Sequence, residues 1–178
     1  MKKLFLFLSL FFAVISSNAQ NDLNSKGIWG LQLGSSASVY LPHTYNFAVI
    51  PYYKITPRLD TGIGLGFMCS NHLGEHQGSH CSVPMFADLK YVFLNKEISP
   101  FAETQFGLNF GLTGYKDLYY ANYGSYYGSL QLGVSVRRSD ISLGIMAYDY
   151  SKYGDTVDEG VECSLFLRYA YNFKLTDR

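Results

Sequence analysis

Four groups of side chains in this sequence could do chemistry. The first is the stretch NHLGEHQGSH (71–80), where His72, Glu75, His76 and His80 crowd between Cys69 and Cys81. Imidazole, carboxylate and thiolate are transition-metal ligands. Their spacing matches no strong zinc pattern, so a solvated loop is the better reading and no metal is assigned. The second is His80 with Ser82, two apart on one strand face that also carries Asp88. A serine nucleophile needs a positioned base and an orienting acid. This spacing alone supplies neither, and no catalytic residue is assigned. The third is a set of charges placed singly in apolar runs: Asp88 and Lys90 in VPMFADLKYVF, Glu103 in PFAETQFG, Arg137 in VSVRR and Arg168 in FLRYAY. The fourth is LYYANYGSYY (118–127), whose Tyr119, Tyr120, Tyr123 and Tyr126 are surface-loop binding candidates. Tyrosine offers rigid amphipathic contact area.

The elements that must position these groups follow an N-terminal leader. Lys2 and Lys3 precede the apolar run Leu4 to Ile15, and Ser17-Asn18-Ala19 supplies small residues for cleavage. This reads as a signal peptide over 1–19, shorter than a membrane-spanning helix, with a single domain over 20–178. The chain has 14 Lys plus Arg and 14 Asp plus Glu. Removing Lys2 and Lys3 leaves 12 against 14, a net charge near −2. Neither that balance nor any clustered basic stretch calls for nucleic acid, and no cofactor is expected.

Period two, the side-chain repeat of a strand, recurs along the rest of the chain, and helical spacing does not. Eight strands are expected at 27–37, 44–56, 60–70, 81–93, 99–112, 125–138, 140–151 and 160–173. Connections alternate between tight, at 57–60, 94–99 and 137–140, and long, at 71–80, 113–127 and 152–160. In the fifth strand Ala102, Thr104, Phe106, Leu108, Phe110 and Leu112 share one face, and Glu103, Gln105, Gly107, Asn109 and Gly111 share the other.

Period two does not say which face is inside. A soluble barrel puts apolar residues in; a membrane barrel inverts this. Three features favour inversion. The polar faces are rich in glycine, with single charges of both signs, unlike a Lys- and Glu-rich water-facing surface. Aromatics collect at strand ends, in Tyr52/Tyr53, Tyr91/Phe93, Tyr126/Tyr127, Tyr148/Tyr150 and Tyr169/Tyr171/Phe173, as interfacial girdles do. Short and long connections fall at opposite ends. Asp88, Lys90, Glu103, Arg137 and Arg168 are therefore expected inside, as a charge network in a filled interior, with Arg168 reaching Gln32 on the first strand.

A signal ending in Ala-Gln, the tight PRLD turn, VPMFADLKYVF with its polar turn and SPFAETQFGLNFG, and the closing FLRYAYNF together resemble the outer-membrane β-barrel domain proteins of Gram-negative bacteria, of the small OmpX/OmpA-like kind. The resemblance covers essentially the whole mature chain. It implies an all-β, eight-stranded antiparallel up-and-down transmembrane β-barrel in the outer membrane. It also implies contact with outer-membrane lipid and the barrel-assembly machinery, and a monomer. Such barrels often end on an aromatic residue, whereas here KLTDR follows Phe173. Lipid A deacylases, also eight-stranded barrels, use a His and a Ser two apart, the spacing of His80 and Ser82. The expected role is nonetheless non-enzymatic, a structural or adhesion-type surface function without conduction. The alternatives are a small-solute channel and a lipid A-modifying enzyme.

In the hairpin around 70–80, Cys69 closes one strand and Cys81 opens the next. Facing positions there are within disulfide reach, and export supplies oxidising conditions. A Cys69–Cys81 bridge is expected, with Cys163 left as a free thiol on the lipid-facing side.

Overall fold

The computed structural model describes residues 27–39, 43–72, 78–94, 96–113, 125–152 and 158–175. The expected leader lies outside them. Eight strands follow one another: β1 (Trp29–Ser38), β2 (His43–Thr56), β3 (Leu59–His72), β4 (Gly78–Val92), β5 (Ile98–Thr113), β6 (Ser125–Val136), β7 (Ser139–Lys152) and β8 (Asp158–Lys174). Each pairs antiparallel with the next, and β1 pairs with β8 over Gly30↔Lys174 to Ser38↔Phe166, which closes the barrel. Closure leaves no sheet edge and gives the strands' backbone groups partners in the wall.

The alternation in sequence sets the two faces. Along β7, Asp140, Ser142, Met146 and Tyr148 are 1–3% exposed, while Ile141, Leu143 and Ile145 between them are 50–56% exposed. The same split places Gln32, Asp88, Lys90, Glu103, Gln131 and Arg168 inside, and Ile63, Leu130, Leu132 and Leu167 outside. The polar face is the buried one. No helix among the described residues is long and apolar enough to cross a membrane; a barrel crosses with strands.

The tight connections are held locally. Thr56 Oγ1 accepts from the backbone N–H groups of Arg58 (3.2 Å) and Leu59 (3.0 Å) around the Pro57-Arg58 turn. Arg137 adopts a left-handed backbone (φ 57°) that ends β6 and starts the turn into β7. Neighbouring turns are stitched together, Arg137 N–H donating to Glu97 O at 2.9 Å and Val92 N–H to Arg58 O at 2.8 Å.

Two prolines interrupt the wall. Pairing of β2 with β3 stops at Val49↔Leu65 and resumes at Tyr52↔Gly62. Pairing of β3 with β4 stops at Leu65↔Met85 and resumes at Met68↔Ser82. On the far sides Leu31↔Pro51 and Pro84↔Asn109 are intact. A proline has no amide hydrogen to give. In register, Pro51 faces Ile63 and Pro84 faces Gly66, so both gaps fall on the glycine-bearing stretch of β3.

Candidate functional site

The polar interior splits into two levels. Toward the tight turns lie the charges. Lys90 Nζ on β4 stands 2.5 Å from Asp140 Oδ2 on β7. Arg168 on β8 pairs with Glu103 on β5 and donates from Nη2 to Gln32 Oε1 on β1 at 2.7 Å. Neither ion pair joins adjacent strands; both cross the lumen. Gln32 Nε2 donates to Asp140 Oδ2 (3.0 Å), and Asn172 Nδ2 donates to the same oxygen (2.7 Å). Gln105 Nε2 donates to both Asp88 Oδ1 and Glu103 Oε1, each at 3.0 Å, and its Oε1 accepts from Tyr127 Oη at 3.1 Å. Lys90 also lies 4.4 Å from the centre of the Phe101 ring, a favourable cation–π distance. Buried charges survive in such a setting when paired and hydrogen-bonded; Lys90, Asp140, Glu103 and Arg168 are, and Asp88 is held by the hydrogen bond from Gln105.

Toward the long connections the described interior side chains are neutral. Thr44 Oγ1 and Ser70 Oγ are 2.8 Å apart, and Ser70 Oγ is 3.2 Å from Tyr148 Oη across the barrel. Met68, Met146, Tyr148 and Phe166 pack as one cluster, and Ala48, Ile50, Phe86 and Tyr127 as another. Glycines on the inner face make room for the large rings. A Cβ on Gly64 would lie 2.2 Å from the Phe86 ring of its partner strand, and one on Gly34 would lie 2.8 Å from Arg168 Nε. A side chain at either glycine would force the facing ring or guanidinium to shift. What space remains between Arg168, Gln105, Tyr127 and Phe166 is about 10 Å³ for water centres, room for roughly one water.

Of the charges singled out in the sequence, Asp88, Lys90, Glu103 and Arg168 lie in this network. Arg137 does not. It was expected inside because the sixth strand was read to run through 138, which gives 137 the inward parity. The strand ends at Val136, and the left-handed backbone at Arg137 swings it out, where it is exposed. Three interior groups went unread. Asp140, at the join of the tight turn 137–140 and the expected strand 140–151, is the second residue of β7 and buried. Asp60, beside Lys54 at 3.8 Å, stands at the mouth of β3. Gln32 was named only as a contact, although it joins Arg168, Asp140 and Asn172.

Tyr126 is in β6 and 75% exposed on the outer wall, not in a loop. Tyr119, Tyr120 and Tyr123 lie outside the described residues, as do residues 73–77 of the His-rich stretch, with Glu75 and His76. The adjacent pairs Tyr52/Tyr53 and Tyr126/Tyr127 divide between faces, with Tyr52 and Tyr127 pointing into the lumen at 8% and 4% exposure; Tyr148 also points in, at 2%. Neighbours on a strand cannot both face out. The outer collar at the turn end is made instead by Trp29 with Tyr53 (ring centres 5.1 Å apart), Tyr91 with Phe93 (5.4 Å) and Phe173, whose ring packs against the buried Tyr171 (4.7 Å).

Cys69 and Cys81 are bonded to each other as directly paired residues of β3 and β4, with Cα atoms 4.2 Å apart. Cys163 is free and exposed on the outer face. Ser82 is 2% exposed and points into the lumen, on the same inward parity as Asp88.

No family profile matches the sequence, and no curated protein does. Solved structures do share its fold. The N-terminal β-barrel domain of Pseudomonas aeruginosa OprF is 10% identical, over 83% of this chain and 100% of that one, with a TM-score of 0.51. The outer membrane enzyme PagL is 18% identical, over 80% and 98%, at 0.55. The outer membrane protein OprG from Pseudomonas aeruginosa is 10% identical, over 87% and 100%, at 0.52. The fold of this chain is the fold of these eight-stranded outer-membrane barrels.

Proposed function

We propose that this chain is an integral outer-membrane protein whose barrel carries long polar connections at the cell surface, in a structural or surface-binding role, and does not conduct solutes. The wall supports the location: apolar side chains stand outside and charged ones inside, the arrangement lipid requires. The cross-lumen pairs Lys90–Asp140 and Arg168–Glu103 carry the closed-interior reading. Each ties opposite walls together where a pore would run. An open channel would leave these groups hydrated along a water column, not bonded to one another. Barrel-assembly machinery and outer-membrane lipid are its partners in this reading, and the barrel acts as a monomer. Planar-bilayer recording tests it. The expected trace shows no unitary steps, and reproducible steps from the folded protein would favour a small-solute channel.

Likeness to the enzyme PagL favours a second reading, that of a lipid-modifying barrel. His80 and Ser82 are its only sequence support, and the buried, lumen-facing Ser82 is badly placed to attack a lipid outside the wall. Mass spectra of lipid A from cells with and without the protein decide it. A mass shift that depends on Ser82 would establish the enzyme; unchanged lipid A is expected.

A further inference from the structure

The turn-side rim of the barrel is basic, and we infer that it is a binding surface for the phosphodiester headgroups of anionic phospholipids in the leaflet it meets. The inference rests on the membrane reading given above. Arg58 sits in the β2–β3 turn, Lys96 in the β4–β5 turn, and Arg137 and Arg138 in the β6–β7 turn. Arg58, Lys96 and Arg137 are exposed, and Arg138 is half-buried. Among the described residues no ion pair joins any of the four to a carboxylate. The acidic groups of this end are mostly withdrawn: Asp60 and Asp140 are 7% and 2% exposed, leaving Glu97 as the exposed carboxylate of the turns.

The cations form a rim, not a scatter. Backbone hydrogen bonds run from Val92 to the Arg58 carbonyl, from Arg137 to that of Glu97, and from Asn172 to that of Arg138, so the three turns are held at fixed positions around one mouth. Depth also fits. The collar of Trp29 and Tyr53, Tyr91 and Phe93, and Phe173 stands at this same end of the strands. Aromatic side chains of that kind settle at headgroup level, which places guanidinium and ammonium groups one step further out, among the phosphates. Arginine forks match phosphate oxygens well, and basic groups near an anionic leaflet bind it in proportion to their number.

The test is lipid selectivity of the refolded barrel, read by spin-labelled lipids in phosphatidylcholine vesicles at about 0.05 M salt. Spin-labelled phosphatidylglycerol should be immobilised at the barrel with an association constant about threefold or more above that of the phosphatidylcholine probe. Raising salt to about 0.5 M should remove the preference, as should the variant Arg58→Gln/Lys96→Gln/Arg137→Gln/Arg138→Gln, whose folding is checked by heat-modifiable gel mobility. Equal association of both probes with the wild type, or a preference that survives high salt, overturns the inference, whether or not the variant folds. Failure of the membrane reading looks different: then no probe of either kind is immobilised.

Discussion

Lys90 Nζ and Asp140 Oδ2 meet at 2.5 Å from strands on opposite sides of the barrel. The contact explains why charges recur in strands that otherwise look apolar: they fill the inside, and the apolar residues are the outside. Asp140 is held by Gln32 and Asn172 as well, so removing the lysine leaves a buried carboxylate with neutral partners alone. Lys90→Met should cost about 3–5 kcal/mol in reversible unfolding from lipid vesicles. The double variant Lys90→Met/Asp140→Leu should recover a large part of that loss. Additive losses would mean the two groups are not coupled across the lumen.

Gly64 faces the Phe86 ring so closely that a Cβ would lie 2.2 Å from it. Gly64→Ala should destabilise the barrel by about 1–3 kcal/mol through overpacking. Shortening the ring, in Gly64→Ala/Phe86→Leu, should be milder than the sum of the two single changes. Unfolding curves for the four proteins check this, and strict additivity would mean the ring moves freely aside.

Pro51 points its side chain outward and leaves the Ile63 carbonyl without its usual ladder donor. Pro51→Val restores that donor without adding bulk to the lumen. A gain of about 0.5–1.5 kcal/mol is expected, together with slower hydrogen exchange in residues 62–65 of β3. A loss of stability on this change would show that the proline's rigid ring outweighs the missing bond.

Leu132 is 64% exposed on the outer wall, and its neighbour Gln131 is 1% exposed, with Oε1 accepting from Ser142 Oγ at 2.7 Å. Leu132→Arg should cost about 2–4 kcal/mol if the site is near the bilayer midplane, and Leu132→Phe close to nothing. Refolding yields in vesicles separate the two. Equal tolerance of Arg and Phe would put that face in water.

The strands were legible in the sequence because their period is two and the tight turns are short. Every expected strand overlaps an observed one, with ends differing by a few residues. Cross-lumen partners were only partly legible. Sequence parity shows which side chains point inward but not which meet across the interior, since that depends on register and strand tilt. Asp88, Lys90, Glu103 and Arg168 were visible as charges among apolar residues. Asp140 was not, because it follows Arg137 and Arg138 and looks like part of a polar turn. Arg137 misled for a local reason: one left-handed residue reverses the parity on which its placement depended. Pro51 and Pro84 would ordinarily argue for edge strands. They are tolerated in a closed wall because each faces its gap toward β3 and keeps its other neighbour. The tyrosine-rich and histidine-rich stretches read as surface loops, and their central residues 118–124 and 73–77 lie outside the described residues.

The most direct test of an inside-out barrel in a membrane is the electrophoretic mobility of the protein extracted from outer-membrane fractions, with and without boiling. A closed barrel whose walls face lipid should cofractionate with the outer membrane, and the unboiled sample should migrate faster than the boiled one. Protein recovered in the soluble fraction, with one mobility under both conditions, would contradict the account.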